Sequence, residues 1–316
     1  INNITTSVNP NPMNRRNFVG MLPGLAVLFS SQKLLLEREE NLPISANEYN
    51  WVTFYDREGR EWGKDWDACL SEFAKTKIPA FEPSIGDAAH LQELIPFLEK
   101  YRIQLPSIYV GSLMHEDDLA QKSTAQILEI AQKAKPLGTK IIVTNPNPIS
   151  WGSGQLKNES QLLCQSSHLD KLGKSLKNMG IKLAYHTHDV ELQAGAREFH
   201  HVLQNTSPEN LGFCMDVHWI YRGSGNSQVA VFDTLKMYGN RIVSFHLRQS
   251  QNGIWTDTFQ PEGDIDYVRF AQEVKKMGIN AHLVIEQCLE EKTVQNNSVV
   301  EAHKINYSAI KKLFNS

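Results

Sequence analysis

From about Glu48 onward, short runs of β-branched and aromatic residues alternate with longer polar segments whose apolar positions recur at helical spacing. This alternation is the pattern of βα units around a parallel sheet. Eight runs are predicted to be strands: Tyr49–Tyr55, Ile78–Glu82, Leu105–Val110, Lys140–Thr144, Lys182–Tyr185, Leu211–Met215, Ile242–Phe245 and His282–Ile285. Between them, Asp118–Leu137 places Leu119, Ile127, Ala131 and Ala134 near one helical face, and Gly138 follows as a C-cap. The same reading gives helices over Ala88–Tyr101, Ser160–Met179 closed by Gly180, Val229–Tyr238 closed by Gly239, Asp266–Met277 closed by Gly278, and Ser298–Phe314. Asp264 and Asp266 are predicted N-caps of the penultimate helix. Eight strands, each followed by a helix, over roughly 270 residues fit a single-domain (β/α)8 TIM barrel of α/β class spanning residues 45–316. An open doubly wound sheet is the alternative, but no glycine-rich phosphate fingerprint follows the first strand.

Residues 1–44 read differently. Asn14-Arg15-Arg16-Asn17-Phe18-Val19 precedes an apolar run, Gly20 to Phe29, that is shorter than the ~20 residues of a spanning helix. The segment resembles a twin-arginine export signal, with Ile1 to Pro12 as an upstream extension, and implies a periplasmic or otherwise exported protein. An apolar helix packed on the domain is the competing reading, and no A-x-A cleavage site is evident. No membrane span is expected in the mature chain.

Composition then narrows the function. The 316 residues are 41% hydrophobic and 21% charged, enough apolar material for one large core. A net charge of -3 provides no positive field for a phosphate backbone, so nucleic acid is not an expected partner. The four cysteines, Cys69, Cys164, Cys214 and Cys288, form no CxxC pair and read as small buried hydrophobes.

In a barrel of this kind the chemistry sits where strands end. Strand five runs out through Tyr185-His186-Thr187-His188-Asp189, strand six through Met215-Asp216, strand seven through Phe245-His246 and strand eight through Ile285-Glu286. Ionisable groups at the ends of strands buried on both faces cost free energy unless paired or metal-bound. One such residue is ordinarily structural. Four on adjacent strands form a mixed imidazole and carboxylate set suited to a divalent ion such as Mn, Zn, Co, Fe or Mg.

These residues carry a resemblance. Gly180 to Asp189, Gly212-Phe213-Cys214-Met215-Asp216-Val217, Phe245-His246-Leu247-Arg248 and Ile285-Glu286-Gln287 are similar to the sugar phosphate isomerase/epimerase family of xylose isomerase-like TIM barrels, which includes inosose dehydratases, ketose 3-epimerases and relatives of endonuclease IV. Phe81-Glu82-Pro83-Ser84, Leu105 to Gly111 and Thr144 to Pro148 extend the likeness upstream. The resemblance implies a metal held by His186, Asp216, His246 and Glu286, with Glu286 as general base. It also marks a departure, because His186 stands where the family more often has glutamate. A symmetric two-glutamate epimerisation is thereby disfavoured relative to dehydratase and keto-sugar lyase chemistry.

His188 lies two residues beyond His186 on an extended chain and is either a second strand-five ligand, a proton shuttle, or a hydrogen-bonding support. Asp189 and Glu191 line the mouth or orient a histidine. Glu82, Tyr109, His115, Trp151, Trp219 and Arg248 are candidate substrate contacts, each with a structural alternative: Glu82 as a purely structural carboxylate, Arg248 as a rim ion pair. Trp151 sits in Trp151-Gly152-Ser153-Gly154, a loop that glycines would let close. The expected activity is a metal-dependent isomerase, epimerase, dehydratase or lyase acting on a sugar, unphosphorylated because no Lys/Arg cluster marks a phosphate site. A non-catalytic sugar-binding barrel and an endonuclease IV-like enzyme are the alternatives, the latter lacking the extra ligands of a three-metal site. A homo-oligomer is left open.

Overall fold

The computed structural model describes residues 42–315; the twin-arginine segment lies outside them. Eight strands run in parallel: β1 (Ser45–Asn47), β2 (Ala80–Glu82), β3 (Ser107–Tyr109), β4 (Ile141–Thr144), β5 (Lys182–Tyr185), β6 (Leu211–Asp216), β7 (Ile242–Leu247) and β8 (His282–Ile285). They pair in the order β2-β1-β8-β7-β6-β5-β4-β3. The seam between β2 and β3 is joined by parallel bridges at Ala80/Gln104 and Ser84/Tyr109, which nearly close the barrel. Ten helices pack around it among the described residues: α1 (Glu48–Arg57), α2 (Trp66–Ala74), α3 (Ala88–Tyr101), α4 (Asp117–Ala134), α5 (Glu159–Asn178), α6 (Gln193–Gln204), α7 (Val217–Gly223), α8 (Gln228–Tyr238), α9 (Tyr267–Lys276) and α10 (Val299–Asn315). No described helix is long and apolar enough to cross a membrane.

The first strand is not where the sequence pattern put it. Residues Tyr49 to Tyr55 lie within α1, and the strand is the three residues before it. Their aromatic and β-branched composition favours a strand, yet Trp51, Phe54 and Tyr55 are buried at i, i+3 and i+4, a helical period. Asn47 also accepts the Tyr49 N–H as an N-cap, and Glu48 and Arg57 sit at the ends the helix dipole favours. The other seven strands agree with expectation to within two residues at each end.

Turn chemistry holds in part. Gly138 adopts the left-handed conformation, φ 90°, after the last turn beyond α4. Gly239 instead keeps a right-handed φ of -53° and continues into a 3-10 turn, where the nearest atom a Cβ would meet is the flexible end of the Met277 side chain at 2.7 Å. Asp266 caps α9 by accepting the Arg269 N–H at 2.9 Å. Asp264 does not cap that helix. It accepts from Ser250 Oγ, Asn252 N and Gly253 N, tying down a hairpin of Ser250–Gln251 and Ile254–Trp255 that follows β7.

Two apolar layers result. Ile141, Val143, Ala184 and Cys214 fill the barrel interior, while Ile142, Leu183, Phe213 and Phe245 face outward into the larger cluster beneath the helices. Side chains alternate along a strand, so His186 two residues beyond Ala184, and Asp216 two beyond Cys214, point inward as well. The register pairs Asp216 with His246 and His246 with Val284, which brings Glu286 to the same side. Cys69, Cys214 and Cys288 are buried as expected; Cys164 is only partly so.

Burial holds several histidines neutral inside this structure, His303 and His282 among them. His303 donates to the Val299 carbonyl at 2.7 Å and lies against Trp51 with ring centroids 4.5 Å apart; burial pushes its pKa down to about 4. His282, against Ser45 Oγ, is pushed down to about 4 by the same cause. An unfolded histidine titrates near 6.5, so between pH 6.5 and 4 the unfolded chain takes up protons that the folded rings refuse, and stability present above that window is lost as pH falls. His246, shifted the other way, offsets part of this in the whole protein. A single-residue comparison isolates the effect. Relative to His303→Gln, the parent should lose roughly 2 kcal/mol of unfolding free energy between about pH 6.5 and 5, at ~1.4 kcal/mol per pH unit. Parallel urea-denaturation profiles for the two proteins would show that His303 is not held neutral.

Candidate metal centre

Each of the last four strands ends in one buried donor. His186 follows β5, Asp216 closes β6, His246 lies in β7 and Glu286 follows β8. One ligating atom from each lies within 4.8 Å of the other three, and all four residues are buried. Asp216 serves twice: Oδ1 accepts the Trp219 N–H at 2.7 Å as the N-cap of α7, and Oδ2 faces His186 Nε2 at 3.4 Å.

The partners of these groups are specific. Glu286 Oε2 lies 2.6 Å from His246 Nδ1, and its Oε1 accepts from Arg248 Nη2 at 2.7 Å. Arg248 also donates from Nε to the Glu286 carbonyl at 2.8 Å. Its guanidinium packs over Trp255 and Trp219, at 4.1 and 5.4 Å from the ring centroids. It is fully buried, so it is not a rim ion pair; its Nη1 is left without a hydrogen-bond partner. Burial opposes the charge on Glu286, but Arg248 and His246 outweigh it and hold the carboxyl well below the usual carboxylate range.

Glu82 is placed differently from the substrate contact expected of it. It is 0% exposed, and both oxygens are taken, by Asn47 Nδ2 at 2.9 Å and Ser107 Oγ at 2.6 Å, with His246 Nε2 at 2.8 Å. It supports His246 from beneath the site, leaving Nδ1 turned toward Glu286, the arrangement by which outer carboxylates orient ligating histidines. Burial disfavours its charge, yet His246, Ser107 and Asn47 bring its pKa down to about 2. Burial likewise disfavours charge on His246, but the sulfur of Cys214 and the flanking Glu82 and Glu286 carry it well above the usual histidine value.

Around the four donors stands an aromatic rim. His188 is ringed by His186, Trp151 and Trp219, with centroids 4.9, 5.0 and 5.4 Å away, and Tyr109 meets His186 edge-on at 5.4 Å. Burial, then the neighbouring His186, keeps His188 well below the ordinary imidazole pKa, and its Nδ1 has no partner. Glu191 accepts the His188 backbone N–H at 2.8 Å and Asn145 Nδ2 at 2.9 Å, so it orients the strand-five end rather than lining the mouth. His115 is buried with Lys157 and Glu198 as its charged neighbours, apart from the four-donor group. Sequence reasoning missed Trp255, which reaches the site on the hairpin. The Asn252-Gly253 dipeptide between two short apolar-ended runs was the available signal.

The donors fit a metal ion. His186 Nδ1 and Nε2 and Asp216 Oδ2 are buried and make no hydrogen bond, a costly condition that a cation seated among them would relieve. Two imidazoles and two carboxylates are a recognised ligand set for divalent first-row ions.

A family profile described as "Xylose isomerase-like TIM barrel" matches residues 62–304. The chain belongs to the xylose isomerase-like TIM barrel family. Solved structures of similar fold include a sugar phosphate isomerase/epimerase from Parabacteroides distasonis, with 16% identity, TM-score 0.63, and coverage of 87% of this chain and 95% of that one. A D-allulose 3-epimerase from Methylomonas sp. in complex with D-allulose gives 12% identity, TM-score 0.60, and coverage of 87% and 98%. A xylose isomerase-like TIM barrel protein from Mycobacterium smegmatis in complex with magnesium gives 12%, 0.63, and coverage of 86% and 97%. A comparison with curated proteins returns no match. At these identities the structural likeness concerns the fold.

Proposed function

We propose that this xylose isomerase-like barrel is a metal-dependent enzyme that removes a proton next to the carbonyl of a sugar or keto-sugar, completing an isomerisation, an epimerisation or an elimination. The observation that carries the reading is the convergence of four buried donors from β5 to β8 with unpartnered nitrogen and oxygen atoms at its centre. His186, Asp216, His246 and Glu286 are the ligands. Two imidazoles among four ligands favour Mn, Fe, Co or Zn over Mg. The relatives named for sugar epimerases and isomerases, and the one solved with magnesium, support the substrate class and the ion class.

A divalent ion held there supplies the positive charge that acidifies the carbon next to a carbonyl. Glu286 takes the proton. Arg248 positions its carboxylate and keeps it ionised. His188, neutral and with a free ring nitrogen, is placed to give or take a second proton at a substrate oxygen. Trp219 and Trp255 form an apolar wall against a sugar face, with the exposed Trp151 at its outer edge. Arg222 and Arg248 are committed to Glu290 and Glu286, which favours a sugar without a phosphate. Because His186 replaces one of the two glutamates of the ketose epimerases, proton removal and return on one face, or loss of a leaving group, is the preferred outcome.

Incubating the metal-loaded protein with candidate keto-sugars in deuterium oxide tests the reading. Exchange of the carbon-bound proton that depends on added metal supports it. Sugar binding without exchange would make the protein a non-catalytic binder.

We also propose that Arg15-Arg16 and the following apolar run direct export. Replacing both arginines with lysine should retain the protein in the cytoplasm of a host with a twin-arginine pathway. Unchanged location would remove the leader from the picture.

A further inference from the structure

We propose that Asp117, Cys164 and His168 form a second metal site, for a zinc-class divalent ion, joining α4 to α5 at the mouth side of the barrel. Asp117 is the first residue of α4, and Cys164 and His168 lie four residues apart on α5. That spacing puts both side chains on one helical face, one turn apart. All three ligating atoms lie within 4.8 Å of one another. His168 Nε2 is 2.7 Å from Asp117 Oδ1, and Cys164 Sγ is 3.7 Å from the same oxygen.

Zinc bonds of about 2.3 Å to sulfur and ~2.0–2.2 Å to nitrogen and oxygen, set tetrahedrally, require ligand atoms roughly 3.3–3.6 Å apart. The sulfur–oxygen separation is already near that value. The nitrogen–oxygen contact, now bridged by a proton, must open by about 0.6 Å, which rotation of the exposed Asp117 side chain accommodates. On binding, the thiol releases its proton to solvent and the sulfur becomes a thiolate ligand. Three protein ligands leave a fourth position for water. The soft sulfur separates this site from the central one, whose donors are nitrogen and oxygen, and selects zinc or cobalt over magnesium.

The position has a consequence. Asp117 follows the β3 loop that carries His115, and α5 follows the β4 loop that carries Trp151. An ion between the helices would fix the ends of both loops.

Cobalt(II) titration of the full chain provides the test, since thiolate ligation gives a near-ultraviolet charge-transfer band that nitrogen and oxygen ligands do not. The band should appear in the parent, be displaced by zinc, vanish in Cys164→Ser and His168→Ala, and persist in Asp216→Asn, which alters only the central site. Absence of the band with cobalt in large excess over protein would leave Asp117–His168 as a plain surface ion pair and overturn the proposal. So would a band that survives Cys164→Ser, because the sulfur would then belong to another cysteine.

Discussion

Replacing Glu286 with glutamine should lower proton exchange on the substrate by on the order of 100-fold or more, the usual scale for losing a general base. The substitution is conservative in shape. A glutamine oxygen can still accept from Arg248 Nη2 at the 2.7 Å contact, whereas its amide can face His246 Nδ1 only after that nitrogen gives up the proton it directs at the parent's carboxylate. What disappears is the lone pair that takes the proton and one negative charge beside Arg248. Loss of that charge also weakens the ligand set, so metal content has to be measured in the same sample. The informative result is a variant that keeps its metal and still incorporates solvent deuterium at the parent rate. In that case the base lies elsewhere, and His188, with its free Nδ1 and depressed pKa, is the next group to change.

The reasons why some of this was legible in the sequence, and some not, are physical. Seven strands could be read because a parallel strand buried on both faces needs a continuous apolar run, as in Ile141-Ile142-Val143. β1 escaped because three residues, Ser45-Ala46-Asn47, carry no such run, while the aromatics of α1 imitate one. The four central donors were visible because barrel geometry converts the end of each strand into one point on one rim. No comparable rule reaches Glu82. A carboxylate at a strand end looks the same whether it meets a sugar hydroxyl or a histidine, and only the register of β2 against β1, with Ser107 and His246 nearby, shows it engaged from below. Trp255 was hidden for another reason. It arrives through a two-stranded hairpin inside a βα connection, and its place over Arg248 depends on how Asp264 folds that hairpin back.

Asp216→Asn should separate metal binding from folding, because its two oxygens have separate duties. Oδ1 caps α7 through the Trp219 N–H; asparagine caps as well as aspartate does, and the helix start is retained. Oδ2 points into the donor group with no hydrogen-bond partner, and an amide there presents N–H groups where a cation needs a lone pair. Without metal, the variant should unfold close to the parent's temperature, since Oδ2 makes no hydrogen bond that the amide would forfeit. Asp216→Ala, which loses the cap too, should fall below the asparagine variant by about 1 kcal/mol. Adding a divalent ion at about 100 times its dissociation constant stabilises the parent by ~2.7 kcal/mol through mass action. For a domain of this size that corresponds to a rise of roughly 4–5 °C in Tm, which Asp216→Asn should not show. A metal that raises the melting temperature of both proteins equally would have to be binding without Asp216, and the four-donor centre would no longer explain it.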